Sequence, residues 1–371
     1  ITHLCLWSLT KSNLTRTEVI VANNAAGDSY MEKLAEDFPF IRIIHNSDNI
    51  GFGKACNRAF KDAKGDIILF LNPDTIVPED FEEKISGFFQ THPRAGAMGA
   101  QMIDARGCFL QESKRNFPRP LAAFLKFSGL NKLAPPTRSN LHYYARQISQ
   151  NTTAQTEILS GSFLAVTREA IQKTGGFDPR YFLYAEDIDL SWTIARNGFE
   201  VWYNPNLKVV HLKGETTRKS PDYSKFFYES MMQFYEKHYS SKQHLFLHKL
   251  GLTAIRGLSV FSSIRHRFRS RLDYHQPAKI YLHPASCQNT LHQIRSLLPF
   301  QVITSPQKQS GKTPYLLVST QNLLPGQLIN NMAKAGHDKA RILLWHAASG
   351  HLIFIKNARH QCLTRPLTDI K

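Results

Sequence analysis

The stretch "GDIILFLNPDTIVPEDF", residues 65–81, decides how the rest of the chain is read. Ile67 to Leu71 are apolar without interruption, and Asn72-Pro73-Asp74 ends the run. An alternating strand has one wet face, whereas a continuously apolar strand is covered on both, as in a parallel α/β sheet. Pro73 fits a place where the ladder has stopped and no backbone donor is required. Ligands of open α/β sheets bind beyond the carboxyl ends of the strands, so Asp74 is expected at the rim of such a crevice. A hard carboxylate there suits Mg²⁺ or Mn²⁺ shared with phosphate oxygens. Proline and aspartate are also ordinary turn formers, and the tripeptide alone does not separate the two roles.

The flanking sequence repeats the strand and helix pattern. "ITHLCLWSLTKSN" predicts a helix, "TEVIVANNAAGDS" a strand running into a turn, and "FIRIIHNS" a short strand. A glycine-containing loop and a helix over roughly 53–63 follow, then the apolar strand, then a helix over 79–90. "GAMGAQMIDARG" reads as a strand and turn, and "CFLQESKRNFPRP" as an extended return. Residues 118–155 are basic and proline-containing, which predicts a loop beside a site. "TEILSGSFLAVTREAIQKTGG" predicts a strand and short helix, "DIDLSWTIARNG" a helix, and "FEVWYNPNLKVVHL" a strand. The expected organisation is an α/β unit over 1–240, a basic amphipathic segment over 241–274 and a small α/β domain over 275–371.

Composition narrows the class. Of 371 residues, 42% are hydrophobic and 20% charged, as in a globular protein. The five cysteines are widely spaced, which argues against a zinc knuckle or disulfide framework and fits a reducing compartment. No apolar run reaches the roughly 20 residues of a membrane span, and the first residues do not read as a signal peptide. The formal charge of +17 calls for an anionic partner or surface. Between 241 and 280, eight Lys/Arg stand against the single acid Asp273. Leu247, Leu250, Ala254, Leu258 and Phe261 recur there at spacings of three or four, the pattern of a helix lying on a membrane surface. Nucleic acid is disfavoured, because no binding motif is present and aromatics do not interleave with the basic cluster.

Three further stretches carry candidate chemistry. In "NSDNIGFGKACN", Gly51 and Gly53 stand between a strand and a helix, where backbone can approach a pyrophosphate. The spacing matches neither a dinucleotide fingerprint nor a P-loop. In "YFLYAEDIDLSW", Glu186, Asp187 and Asp189 open a helix beside Tyr181, Phe182 and Tyr184. Acids are favoured at a helix N-terminus, and a carboxylate so placed can also deprotonate a hydroxyl. His211 follows "LKVV" as either a strand-end histidine or a metal ligand.

Taken together, "EVIVANNAAGDS", "NSDNIGFGKACNRAFKDAKGDIILFLNPDTIVPEDF" and "SGSFLAVTREAIQKTGGFDPRYFLYAEDIDLSWTIARNGFEVWYNPNLKVVH" resemble family 2 glycosyltransferases of the GT-A fold, over about residues 1–215. The similarity is to the bacterial rhamnosyltransferase-like branch that builds cell-surface polysaccharide. The resemblance implies a nucleotide-diphospho-sugar donor, a divalent cation, and a glycan or polyprenyl-linked acceptor. By it, Asn72 and Asp74 stand in the Asp-x-Asp-type motif, with Asp74 on the cation. Asp187 would be the general base and Glu186 would shape the acceptor site. Asn23, Asn49, Gly51, Asn57, Gly161 and Ser162 would contact the donor, and His211 would add a metal or phosphate contact. Asp66 would be structural. The reaction would be a single inverting displacement at the cytoplasmic membrane face.

The sequence departs from that pattern at its start. The family's opening strand, of the type "VSVVIVTYN", has no counterpart, and Ala22 in "VAN" replaces a usual aspartate. Absence of a central strand is expected to expose unpaired backbone and apolar surface. Two other functions remain open at this point: a nucleotidyltransferase, and a degenerate transferase domain serving as a binding or assembly module.

Overall fold

The computed structural model describes residues 2–12, 14–25, 30–119, 122, 142–212 and 222–239, and in the last third 279–282, 301–303, 315–319, 324–337, 341–346, 351–355 and 362–366. The basic segment 241–274 lies outside the described residues.

The chain opens with α1 (Thr2–Thr10), β1 (Val19–Asn23), α2 (Tyr30–Asp37), β2 (Ile41–His45), α3 (Phe52–Asp62) and β3 (Ile67–Leu71). It continues through β4 (Thr75–Ile76), α4 (Phe81–Thr91), β5 (Ala95–Ile103), β6 (Lys114–Arg115), β7 (Ala154–Gln155), β8 (Ile158–Leu159) and β9 (Phe163–Thr167). Next come α5 (Arg168–Thr174), α6 (Glu186–Arg196), β10 (Glu200–His211) and α7 (Asp222–Tyr239). The C-terminal strands are β11 (Lys279–Leu282), β12 (Gln301–Ile303), β13 (Tyr315–Ser319), β14 (Arg341–His346), β15 (His351–Ile355) and β16 (Cys362–Pro366), with α8 (Pro325–His337) between β13 and β14.

The central sheet runs β3-β9-β5-β10-β4, with β7 added against β10. Every residue of β5 is buried, whereas the apolar run of β3, expected to be covered on both faces, is buried only at Phe70 and half-buried elsewhere. The sheet is mixed rather than parallel throughout. β10 runs parallel to β5, but β9 is antiparallel to both β3 and β5. Burial on both faces sets the apolar pattern and is blind to strand direction, so β9 could not be oriented from composition. One face packs Leu6 and Leu9 of α1 with α4 against Leu69 and Leu71, and the other packs α5, α6 and α3 against Ile68 and Phe70.

β1 and β2 form a separate two-stranded parallel sheet. Among the described residues, β1 pairs only with β2, and β3 only with β9. Four of the five residues in each of β1 and β3 are only half-buried. The C-terminal strands form their own sheet, β12-β11-β13-β14-β15-β16, with the first four parallel and the last two antiparallel. The amide of Gly326 in α8 donates to Glu79 Oε2 at 2.7 Å, so this helix touches the first unit near β4.

Candidate functional site

Two register choices build the site. β3 pairs with β9 so that Leu71 faces Phe163, and the Asn72 amide then donates to the Ser162 carbonyl at 3.0 Å. Gly161 and Ser162 thereby lie beside Asn72, whose Nδ2 is 3.3 Å from Ser162 Oγ. β10 pairs with β4 so that His211 faces Thr75, and the Leu212 amide donates to the Asp74 carbonyl at 2.9 Å. His211 Nε2 consequently sits 3.2 Å from Asp74 Oδ1, with both side chains nearly withdrawn from water.

The Asp74 carboxylate is 1% exposed. Its charge adds to burial in pushing the neighbouring Cys5 thiol up to about 12, so this cysteine stays protonated. Buried Nδ1 of His211 has no hydrogen-bond partner. Among the described residues no group of three or more His, Cys, Asp and Glu is arranged to hold a metal. One carboxylate and one imidazole with an unused nitrogen fit an ion whose remaining ligands come from substrate phosphate and water, and not one caged by protein alone.

The acidic turn is held under strain. Tyr184 and Ala185 both adopt positive φ, 72° and 67°, where a side chain is costly and persists only if the surroundings enforce it. The enforcing contacts come from α7. Ser230 Oγ donates to the Leu183 carbonyl at 2.7 Å, and Phe226 packs on Phe182 with ring centroids 4.9 Å apart. Lys237 Nζ reaches Asp178 at 2.8 Å and Asp189 at 2.7 Å, and His238 Nε2 reaches Asp189 at 2.7 Å. Asp189 is therefore a clamp for α7, and the three acids divide their work.

Glu186 and Asp187 begin α6 and line the same cavity as Asp74 and His211. Asp187 Oδ2 accepts from Arg115 Nη2 at 2.6 Å and from the Gly161 amide at 2.9 Å. A Cβ at Gly161 would meet Asp187 Cβ at 3.0 Å, so glycine is what lets this backbone approach. Glu186 is differently placed: burial and then the Asp187 charge push its carboxyl up to about 8, and its Oε2 has no hydrogen-bond partner. Burial and the neighbouring charge thus favour the protonated form of the Glu186 carboxyl.

Arg115 was not singled out from the sequence. Pairing of β6 with β8 sets it opposite Ile158, and its guanidinium bonds Asp187, the Leu159 carbonyl and Tyr143 Oη. Burial works against its charge, and Asp187 with Tyr143 more than offsets that. Nothing local in "ESKRNF" marks it.

Of the expected donor contacts, Asn49, Gly51, Asn72, Asp74, Gly161 and Ser162 line the cavity, which has a volume of about 1260 Å³. Gly51 has φ 88°, and a Cβ there would sit 2.6 Å from the Phe182 carbonyl oxygen. Asn23 and Asn57 are not among the lining residues. Asn23 closes a turn, with Oδ1 accepting from the Ala25 amide and Nδ2 donating to its carbonyl, and Asn24 takes the place on the cavity wall. Both ends of the Asn57 amide are bound to Phe177 backbone, Nδ2 to its carbonyl at 2.6 Å and Oδ1 from its amide at 2.9 Å. These two side chains brace the walls instead of facing the ligand space. Asp66, at the start of β3, accepts from the Arg168 amide through its carbonyl.

With the geometry in hand, the similarity to known proteins can be placed on it. The chain is 27% identical over 230 residues to an N-acetylglucosaminyl-diphospho-decaprenol L-rhamnosyltransferase of Mycobacterium tuberculosis, covering 58% of this chain and 73% of that one. It is 29% identical over 169 residues to the rhamnosyltransferase WbbL of Escherichia coli, covering 43% and 60%. Among solved structures, a mannosyltransferase of Pyrobaculum calidifontis in complex with GDP-Man and Mn²⁺ is similar at 17% identity and a TM-score of 0.42, over 80% of this chain and 76% of that one. Residues 2–175 match the family model described as Glycosyl transferase family 2, which takes in β1 to α5 and stops short of Glu186. The N-terminal unit has the α/β GT-A-like nucleotide-sugar transferase fold, and its residues 2–175 are similar in sequence to glycosyl transferase family 2.

Proposed function

We propose that this chain transfers a sugar, rhamnose or another hexose, from a nucleotide-diphospho-sugar to a hydroxyl of a glycan or polyprenyl-linked acceptor. The observation that carries the reading is the convergence of Asp74–His211 and Glu186–Asp187 on one cavity. In this reading Asn72, Asp74 and His211 bind and orient the diphosphate end of the donor. A divalent cation bound there would offset charge developing on the departing nucleoside diphosphate. Between the two ions expected from the sequence, the imidazole favours Mn²⁺ over Mg²⁺. Asp187 takes the proton from the acceptor hydroxyl as that oxygen attacks the anomeric carbon. Glu186, carrying its own proton, donates a hydrogen bond to the acceptor and shapes its subsite. Arg115 and the Gly161 amide hold the Asp187 carboxylate in position.

The similarity to a rhamnosyltransferase named for a diphospho-decaprenol acceptor supports a polyprenyl-linked acceptor, and the basic residues of 241–274 suit an anionic surface. Among the described residues no helix is long and apolar enough to cross a membrane, so contact in this reading is peripheral, at the cytoplasmic face. One observation favours a second reading, a binding or assembly module: among the described residues β1 and β3 border the cavity without a strand pairing them.

Transfer and hydrolysis assays with nucleoside-diphospho-L-rhamnose and nucleoside-diphospho-N-acetylglucosamine, with and without Mn²⁺, test the proposal. Turnover that disappears in Asp74→Ala and Asp187→Asn supports it. Donor binding without turnover under every condition favours the module.

A further inference from the structure

The Asp74–His211 pair hangs on a short strand. β4 ends the described central sheet, is two residues long, and sets Thr75 against His211 and Ile76 against Val210. So short an edge pairing supplies few hydrogen bonds, and a one-residue slip would turn its side chains to the other face. Residues 74–78 are nonetheless all buried. Two contacts outside the ladder hold this segment. Ser8 Oγ accepts from the Val77 amide at 3.2 Å, and Glu79 is bound by α8 from the C-terminal third of the chain.

The start of α8 is capped from outside the helix. Pro325 opens it, and Gln327 Oε1 accepts from the amide of Leu324, the residue before, at 3.1 Å. The first amides of a helix need acceptors, which an N-cap Ser, Thr, Asp or Asn side chain ordinarily provides. Leu324 has no such oxygen and the first turn holds no acid, so the Gly326 amide donates to Glu79 Oε2 at 2.7 Å. A carboxylate is favoured at that end of a helix. Farther along, α8 meets a second foothold, the turn 104–108. A Cβ at Gly107, whose φ is 75°, would collide with the Met332 carbonyl and lie 2.9 Å from Ala333 Cα, so helix backbone rests directly on the turn. Buried Asp104 stiffens that turn by accepting from the amides of Arg106 and Cys108.

Both footholds belong to strands that place the pair. Glu79 follows β4, and the turn 104–108 follows β5, whose Ile103 faces Val210 beside His211. Val210 also faces Ile76, so one row of residues crosses β5, β10 and β4. The helix from Gly326 to Met332 rises about 9 Å, and the two strand spacings of the row amount to about 9.5 Å. α8 therefore has the length to tie the row together. We propose that α8 is a brace that holds Asp74 and His211 in register, with Glu79 and Gly107 as its positioning residues. α8 also contacts β14, so the C-terminal sheet supports the brace. The inference rests on the proposed function only for what the pair binds.

Hydrogen–deuterium exchange on the full chain reads the brace without any ligand. In Glu79→Ala and in Gly107→Ala, amides of α8 should exchange roughly tenfold faster or more. The amides of Thr75 and Leu212, which bond the Asn72 and Asp74 carbonyls, should speed up with them, while β9 keeps the parental rate. Glu79→Gln retains an acceptor for Gly326 and should match the parent. Gly175→Ala, at φ 80° with nothing within 4 Å of a Cβ, carries the backbone strain alone and should leave α8, Thr75 and Leu212 unchanged. Isothermal titration with Mn²⁺, well below Tm, adds a readout that lost stability does not move. Glu79→Ala and Gly107→Ala should weaken binding by about tenfold, and Glu79→Gln should bind nearly as the parent does. Faster α8 exchange with unaltered Thr75 and Leu212 overturns the proposal. So does an unchanged rate in either variant, equal acceleration of β9, or the same response in Gly175→Ala. Glu79→Gln behaving as Glu79→Ala would mean that Glu79 acts by charge on the cavity it lines, which overturns its role as a cap. A parent that binds no Mn²⁺ removes the ion from the proposed function, and the exchange rates still decide the brace.

Discussion

Arg115 Nη2 lies 2.6 Å from Asp187 Oδ2, with the two side chains 9% and 16% exposed. A charge pair so withdrawn from water is stable only while both members are present, because removing one leaves the other desolvated and uncompensated. Arg115→Met should therefore destabilise the fold by about 3 kcal/mol. The double variant with Asp187→Asn should lose clearly less than the sum of the single losses. Denaturant melts of the four proteins measure this, and simple additivity would show that the pair is not coupled.

Asp187→Asn keeps the size and the Arg115 contact of the side chain but removes its basicity. If Asp187 is the base, turnover should fall by about 10²–10⁴-fold with donor affinity within a few-fold of the parent. Parallel loss of donor binding would mean the substitution acts through the pocket wall instead.

Asp74 and His211 should act together on any ion. Asp74→Asn should abolish the dependence of nucleoside diphosphate affinity on added Mn²⁺, and chelation should have no further effect on that variant. His211→Ala should weaken Mn²⁺ dependence while leaving part of it. Isothermal titration with nucleoside diphosphate, with and without Mn²⁺, reads both, and unaltered Mn²⁺ dependence in Asp74→Asn would remove Asp74 from the ion site.

Glu186 gives the fold a pH dependence whose sign is fixed. Its folded value, pushed up to about 8 by burial and the Asp187 charge, lies above the ordinary 4.5. Between these values the native state holds a proton that the unfolded chain has released, so this group's contribution to stability declines as pH rises through the window. Glu186→Gln has no proton to lose. Its stability relative to the parent should therefore increase from pH 4.5 to pH 8 and level off above. Urea melts at pH 5 and 8.5 compare the two, and a difference that does not change with pH would place the Glu186 carboxylate in a better solvated state.

Asn57 supplies two hydrogen bonds that fasten α3 to Phe177. Asn57→Ala should cost about 1–3 kcal/mol by leaving buried backbone groups unpaired, with donor affinity unaffected at temperatures well below Tm. A selective loss of nucleotide affinity in a variant of parental stability would return Asn57 to the ligand-binding set.

Local pattern carried a large part of this protein. The continuous apolar run at 67–71, the strand at 95–103, the glycine loop before α3 and the acids opening α6 follow from short-range burial and helix-end chemistry. These are written in neighbouring residues, and so were the elements and the family resemblance. Tertiary structure decided what depends on register and on distant packing. The antiparallel course of β9 is one such outcome, and the seating of His211 on Asp74 through the β10–β4 bridge is another. Arg115 meets Asp187 only because β6 pairs with β8, and Asp189 became a clamp only because α7 brings Lys237 and His238 to it. Asn23 and Asn57 turned away from the ligand space for the same reason, since an amide side chain bonds whichever backbone the fold delivers to it. Sequence periodicity records which face of an element is buried, but the partner that buries it is chosen by the whole chain.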